Sequence, residues 1–280
     1  MTCLVVTDSA AALPAPIAAD AGIVAVPMWL TIGGTPVRDG ELSLADVLSR
    51  ADEGVTTAGP SPGEFVQAIE RAMATAGADS VLVVTVAGTM SGTVDAARLA
   101  AKEVDADVRV LDSGTAAGAE GLVALAAAAA AREGRDLDAV EATGRAVASR
   151  VRLIATTNNL DRLAKSGRVP EVAAWAGRAL KVNPLFEFRD GRARPLIPAR
   201  SRAGALDRIL AAWRAGGHRT QKRTHVVALH ALAAEPAHEL LDKVQAEAEP
   251  ATAFVGPFSS VMLVHTGPEL VGLAWWWQDP

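Results

Sequence analysis

The chain has a single cysteine, Cys3, set in the apolar run CLVV, so no intrachain disulfide can form and a reducing compartment suits it. Positive charge is also short: 27 Lys and Arg stand against 32 Asp and Glu, a formal net charge of -5. The mean field therefore repels phosphate backbones and anionic membranes, and nucleic acid is not an expected partner. No stretch reaches the ~20 strongly apolar residues of a membrane span. The one that invites that reading, GLVALAAAAAA from Gly121 to Ala131, is short and mostly alanine and reads as a buried helix. The N-terminus MTCLVVTDSA has no basic flank and meets Asp8 at once, so it does not read as a secretory signal, and the expected location is the cytoplasm. H-E-x-x-H, C-x-x-C and carboxylate-rich calcium loops are missing, so no metal is expected. G-x-x-x-x-G-K-S/T and G-x-G-x-x-G are missing as well, which argues against ATP or NAD, and no cofactor is expected.

What is present fits a globular protein of 280 residues, half of them hydrophobic and 21% charged, enough for two ordinary domains. In the first half, the valine-rich runs LVVT (4 to 7), IVAVPM (23 to 28), VLVVTV (81 to 86) and VRVLD (108 to 112) alternate with helical patterns. Continuous apolar strands joined by helices imply a parallel sheet covered on both faces. From about Val151 the pattern changes: PLFEFRDGRARPLIP turns at Asp190-Gly191, a hairpin signal. Further strands are read at VVALHAL (226 to 232), VMLVHT (261 to 266) and VGLAWWW (271 to 277). The expected fold is thus α/β: a parallel-sheet domain over 1–150 and an α+β domain with a mostly antiparallel sheet over 151–280. With strand alternation, Trp275 and Trp277 share one face and Trp276 the other, so that one face is core and the other an exposed contact surface on this reading.

Gly59-Pro60-Ser61-Pro62-Gly63 matches G-x-S-x-G literally. Pro62, after the serine, has no N–H to give an oxyanion, so the nucleophile reading fails on chemistry. Ser61 with Pro62 and Glu64 reads instead as a capping box for the helix that follows. The turn Ser91-Gly92-Thr93, between a strand and a helix, can cap that helix, hold an anion with hydroxyls and helix-end amides, or attack a substrate. Thr56-Thr57 offers a second hydroxyl pair. Of the histidines, His218 and His225 flank the basic loop from Arg214 and are expected in solvent; that loop is a solvated connector or a docking patch for an acidic partner. His230 ends a strand, and His265 opens the turn HTGPELVG at a sheet edge. Arg168, Arg200 and Arg202 lie in turns, and Arg202 is expected to be solvated.

The stretches VVTDSAAALP, TTAGPSPGEF, MSGTVDAA, LDSGTAAGAEGL, NNLDRLAKSGRV, ALKVNPLFEFRDG, ARSRAGAL and VHTGPELVG, in this order and spacing, resemble the DegV family of fatty-acid-binding proteins, through nearly the whole chain. The resemblance implies a bacterial carrier, not itself an enzyme, that buries a long-chain fatty acid between its two domains. A separate ATP-dependent fatty acid kinase would then convert the presented carboxylate to an acyl phosphate. It further implies that Thr57, Ser91 and His265 hold the carboxylate, and that Arg168 and Arg200 serve the mouth of the site or the phosphate transfer. Three departures bear on the site: Ala58 stands where the family commonly has serine, Ala87-Gly88 replaces a hydroxyl-rich pair, and Glu269 replaces the usual glycine and would repel an anion if it faced inward. Two other readings stay open, a small serine hydrolase using Ser91 or Ser61 with His265, and a lipid-binding regulatory module uncoupled from any kinase.

Overall fold

The valine runs do form a parallel sheet, and the computed structural model describes it within residues 2–158, 160–169, 182–217 and 223–279. The first half contains β1 (Cys3–Asp8), α1 (Ala15–Ala21), β2 (Ile23–Val26), β3 (Trp29–Ile32), β4 (Thr35–Arg38), α2 (Leu44–Ser49) and β5 (Val55–Ala58). It continues with α3 (Pro62–Ala76), β6 (Ser80–Thr85), α4 (Thr93–Glu103), β7 (Asp107–Asp112), α5 (Ala117–Arg132) and α6 (Leu137–Ala148). The second half adds β8 (Arg152–Thr156), α7 (Asp161–Lys165), β9 (Asn183–Arg189), β10 (Arg192–Ala199), α8 (Arg202–Ala215) and β11 (Arg223–His230). It ends with α9 (Ala234–Glu247), β12 (Thr252–Pro257), α10 (Ser260–Thr266) and β13 (Val271–Gln278).

One sheet, ordered β2-β1-β6-β7, is parallel throughout. A second, ordered β10-β9-β8-β13-β11-β12, is antiparallel except where β11 meets β12. The β9–β10 hairpin turns at Asp190 and Gly191, both at positive φ, as a tight two-residue turn demands. A small antiparallel sheet, β4-β3-β5, was not signalled by the sequence.

The layers follow from which faces are apolar. Val6, Val81 and Val83 on one face of the parallel sheet pack against Phe65 and Ile69 of α3 and Ala97 of α4. Val5, Leu82 and Val84 on its other face join a cluster that passes through α5 to Val227, Leu229 and Ala274 of the second sheet. The outer face of that sheet is closed by α8 and α9, with Trp213 and Leu240 against Trp275 and Trp277. Every residue of α5 from Ala117 to Ala124 is buried, which explains a helix apolar on all sides. A Cβ on Gly118 would lie 2.7 Å from Val227 Cγ1, so glycine lets this helix touch the second sheet.

Three expectations are corrected. VMLVHT is not a strand but lies in α10: Ser259 Oγ accepts the Met262 N–H (3.3 Å), Asp39 Oδ1 accepts the Ser260 N–H (2.8 Å), and Gly267 at φ 72 ends the helix. These caps override the strand preference of its β-branched residues. Neither tryptophan face is an exposed surface: Trp275 and Trp277 are buried, and Trp276, also buried, stacks on His225 with centroids 4.3 Å apart beneath the Arg150 guanidinium. His225 is accordingly half-buried rather than in solvent, bonded to Thr252 and Gln278. His218 lies outside the described residues, and Arg214, at the start of the basic loop, pairs with Glu247.

Candidate ligand-binding site

The carboxyl ends of parallel strands are where an open α/β sheet leaves backbone groups free for a ligand. Here the segments after β1 and β6, together with β5, the loop after α7 and α10, enclose a cavity of about 230 Å³. Thr57, Ser91, Arg168 and His265 reach it, against apolar walls that include Met28, Met90 and Met262.

Thr57 lies on β5, which pairs with β3. Its Oγ1 is 2.8 Å from His265 Nε2, although 208 residues separate the two. Burial first, and then the positive charge of Arg168, lower the His265 pKa to about 4. The imidazole is therefore neutral at pH 7 and offers a hydrogen bond rather than a charge. Arg168 reaches in from the loop after α7 and is held by a 2.6 Å bond from Nη1 to the Met90 carbonyl.

Ser91 precedes α4 but does not cap it. Gly92 occupies the cap position without a side-chain bond, and Ser91 Oγ instead accepts the Thr93 N–H (3.3 Å) and lies 2.7 Å from Thr93 Oγ1. A Cβ on Gly59 would stand 2.5 Å from Thr93 Oγ1, so only glycine lets the end of β5 approach the two hydroxyls. Sequence reasoning singled out Thr93 with Ser91 but missed Gly59, which was visible only in the guise of the G-x-S-x-G match. Ser61 closes a complete capping box with Glu64 and does not line the cavity.

Behind the cavity lies a buried carboxyl pair that was also missed. Asp8 accepts the N–H groups of Ala10 and Val86, both 2.9 Å away, and both residues line the cavity. Burial raises Asp8 to about 6 against these two donors. Glu120 of α5 is fully buried and receives the Thr7 hydroxyl at 3.2 Å. Burial and then the Asp8 charge lift it well above the ordinary carboxylate range.

The structure thus brings together four of the five expected site residues. Arg200 is apart: it is exposed just past β10 and does not line the cavity. Glu269, at φ 72, does not face the cavity either; it forms an ion pair of 2.6 Å with Arg202, which is therefore not merely solvated. Ala58 lines the cavity and donates nothing there from its side chain. As a catalytic base, His265 is poorly placed. Its bond is to Thr57 rather than Ser91, and its pKa of about 4 leaves it weakly basic. No group of three or more His, Cys, Asp or Glu that could hold a metal occurs among the described residues. Among the same residues no helix is long and apolar enough to cross a membrane.

A DegV domain-containing protein of Streptomyces coelicolor is 36% identical to this chain over 275 residues, 96% of each chain, and one of Mycobacterium tuberculosis 35% identical over 277 residues. The fatty-acid-binding DegV family protein of Thermus thermophilus superimposes with a TM-score of 0.91 at 29% identity, covering 99% of this chain and 100% of that one. DegV of Bacillus subtilis, a fatty acid binding protein, gives 0.88 at 25% identity over 99% of this chain and 100% of its own. The family model described as "Uncharacterised protein, DegV family" matches residues 2–277, and the chain belongs to the DegV family.

Proposed function

We propose that the protein binds a long-chain fatty acid, with its carboxylate at Thr57, Ser91 and His265, and presents it to a separate ATP-dependent kinase that makes the acyl phosphate. The observation that carries this reading is the Thr57–His265 bond of 2.8 Å beside Ser91 and Arg168, two hydroxyls, a neutral imidazole and a guanidinium converging on one small cavity. A carboxylate leaves water only where several donors replace its hydration, and this set does so. Fatty acid binding by the relatives from T. thermophilus and B. subtilis supports the same assignment. Ligand pockets usually run from roughly 300 Å³ upward, so this cavity takes the carboxylate end and the acyl chain extends beyond it. Each buried methylene adds about 0.8 kcal/mol, so the tail supplies most of the affinity and the polar end sets orientation.

In the proposed division of labour the protein has no catalysis of its own and holds the acid between the units on either side of residue 150. Phosphoryl transfer depends chiefly on positioning and charge neutralisation, which a fixed carboxylate and nearby arginines provide. Half-buried Arg168 fits the mouth of the site, and exposed Arg200 is free to meet the kinase. Mass spectrometry of lipid extracted from purified protein tests the first step. Free fatty acid near one equivalent is expected; protein that neither retains nor takes up fatty acid overturns the reading. Arg200→Ala tests the second: it should leave binding unchanged and lower the rate of acyl phosphate formation.

A further inference from the structure

We propose that Asp39 is a positioning residue that sets His265 against the bound carboxylate by pinning the N-terminus of α10; this rests on the carboxylate-binding reading above. Asp39 follows β4, and its own N–H donates to the Met28 carbonyl (2.9 Å). Its Oδ1 accepts the N–H groups of Ser260 (2.8 Å) and Val261 (3.4 Å). Its Oδ2 accepts the Ser9 hydroxyl at 2.6 Å, and Ser9 Oγ in turn accepts the Met28 N–H at 3.0 Å. Asp39, just past β4, therefore joins the turn after β1, Met28 at the entry to β3, and a helix 221 residues further on.

The arrangement matters because α10 is seven residues long. A helix of two turns has almost no stability of its own, so its place is set by the packing of Val261, Met262 and Leu263 into the core together with what holds its ends. Ser259 caps it locally, but that bond lies within its own segment and cannot fix the helix relative to β5. Asp39 can, because it accepts from the first N–H groups of α10 while Ser9 and Met28 hold it from other segments of the chain. Val261, Met262 and His265 all present to the cavity from this helix. A shift at its first turn carries over to His265 and breaks a 2.8 Å contact that tolerates only about half an ångström. The same carboxylate organises Met28, on the opposite wall, through Ser9.

The test compares hexadecanoic acid with its methyl ester, which keeps the tail and loses the charge, in the unchanged protein, Asp39→Ala, Asp39→Asn and Ser9→Ala. The unchanged protein should prefer the acid. In Asp39→Ala the acid should bind about tenfold more weakly while the ester is unaffected. Asp39→Asn, whose amide oxygen still accepts from Ser260 and Val261, should recover most of the preference. Nitrogen NMR of the His265 ring gives a second readout: in Asp39→Ala the ring should lose its bonded signature and titrate nearer its ordinary value. An acid-to-ester ratio unchanged in Asp39→Ala, or acid and ester weakened equally, overturns the positioning role. Should Asp39→Ala fail to fold, Ser9→Ala carries the same ratio test. A native protein that binds acid and ester alike instead refutes the carboxylate reading, and the His265 spectrum still decides whether Asp39 sets the ring.

Discussion

Replacing Thr57 with valine keeps the β-branched shape on β5 and removes only the hydroxyl that bonds His265 at 2.8 Å. Two consequences separate. In the free protein His265 Nε2 loses its partner in a partly buried setting, a cost at the low end of the usual range, about 1 kcal/mol. That corresponds to a fall in Tm of roughly 2–4 °C for a chain of this size. In the complex, a charge-assisted bond to the ligand carboxylate is also lost, about 1.5–3 kcal/mol, or roughly 10- to 150-fold in Kd. Calorimetric titration of hexadecanoate into delipidated protein, with a thermal melt on the same sample, measures both. Thr57→Ser restores the hydroxyl and should bind nearly as well as the native protein. A valine variant with Kd within twofold of native and an unchanged melt would show that Thr57 neither orders His265 nor touches the ligand.

Two further outcomes follow from the same geometry. Gly59→Ala puts a Cβ 2.5 Å from Thr93 Oγ1 and must displace the Ser91–Thr93 pair; chemical denaturation should show a loss of about 1–3 kcal/mol together with weaker fatty acid binding, and native-like values for both would contradict the close approach. Glu120 binds a proton in the fold that it releases on unfolding above its ordinary pKa, so its contribution to stability is fully present in acid and is lost as pH rises towards its elevated native value. Glu120→Gln removes that linkage: the native protein should lose stability relative to the variant as pH rises above the ordinary carboxylate range, by up to roughly 1.4 kcal/mol per pH unit, and parallel pH–stability curves would count against the raised carboxyl.

The parallel sheet was legible because its central strands β1 and β6 are buried on both faces and read as nearly unbroken apolar runs, as SVLVVT in β6 does. Strands β3, β4 and β5 are four residues each and partly exposed, too short and too mixed for any period to emerge. In α10 the local letters point the wrong way: Val261 and Val264 favour a strand, and the groups that override them include a carboxylate from distant Asp39. The candidate site divides along the same line. Its hydroxyls and histidine could be picked out as residue types, but the meeting of Thr57 with His265 is a property of topology, not of spacing. The support from Asp8, Glu120 and Asp39 was hidden because lone acidic residues ordinarily face solvent.

The alanines and glycines of α5 have a consequence for how the molecule comes apart. A rod of small side chains clamped between two sheets has no polar side to show to water, so neither sheet can leave without stripping it bare. Melting one half therefore drags the other, and a fragment cut near residue 150 would carry an uncovered greasy helix into solution. The halves are cooperative partners in stability.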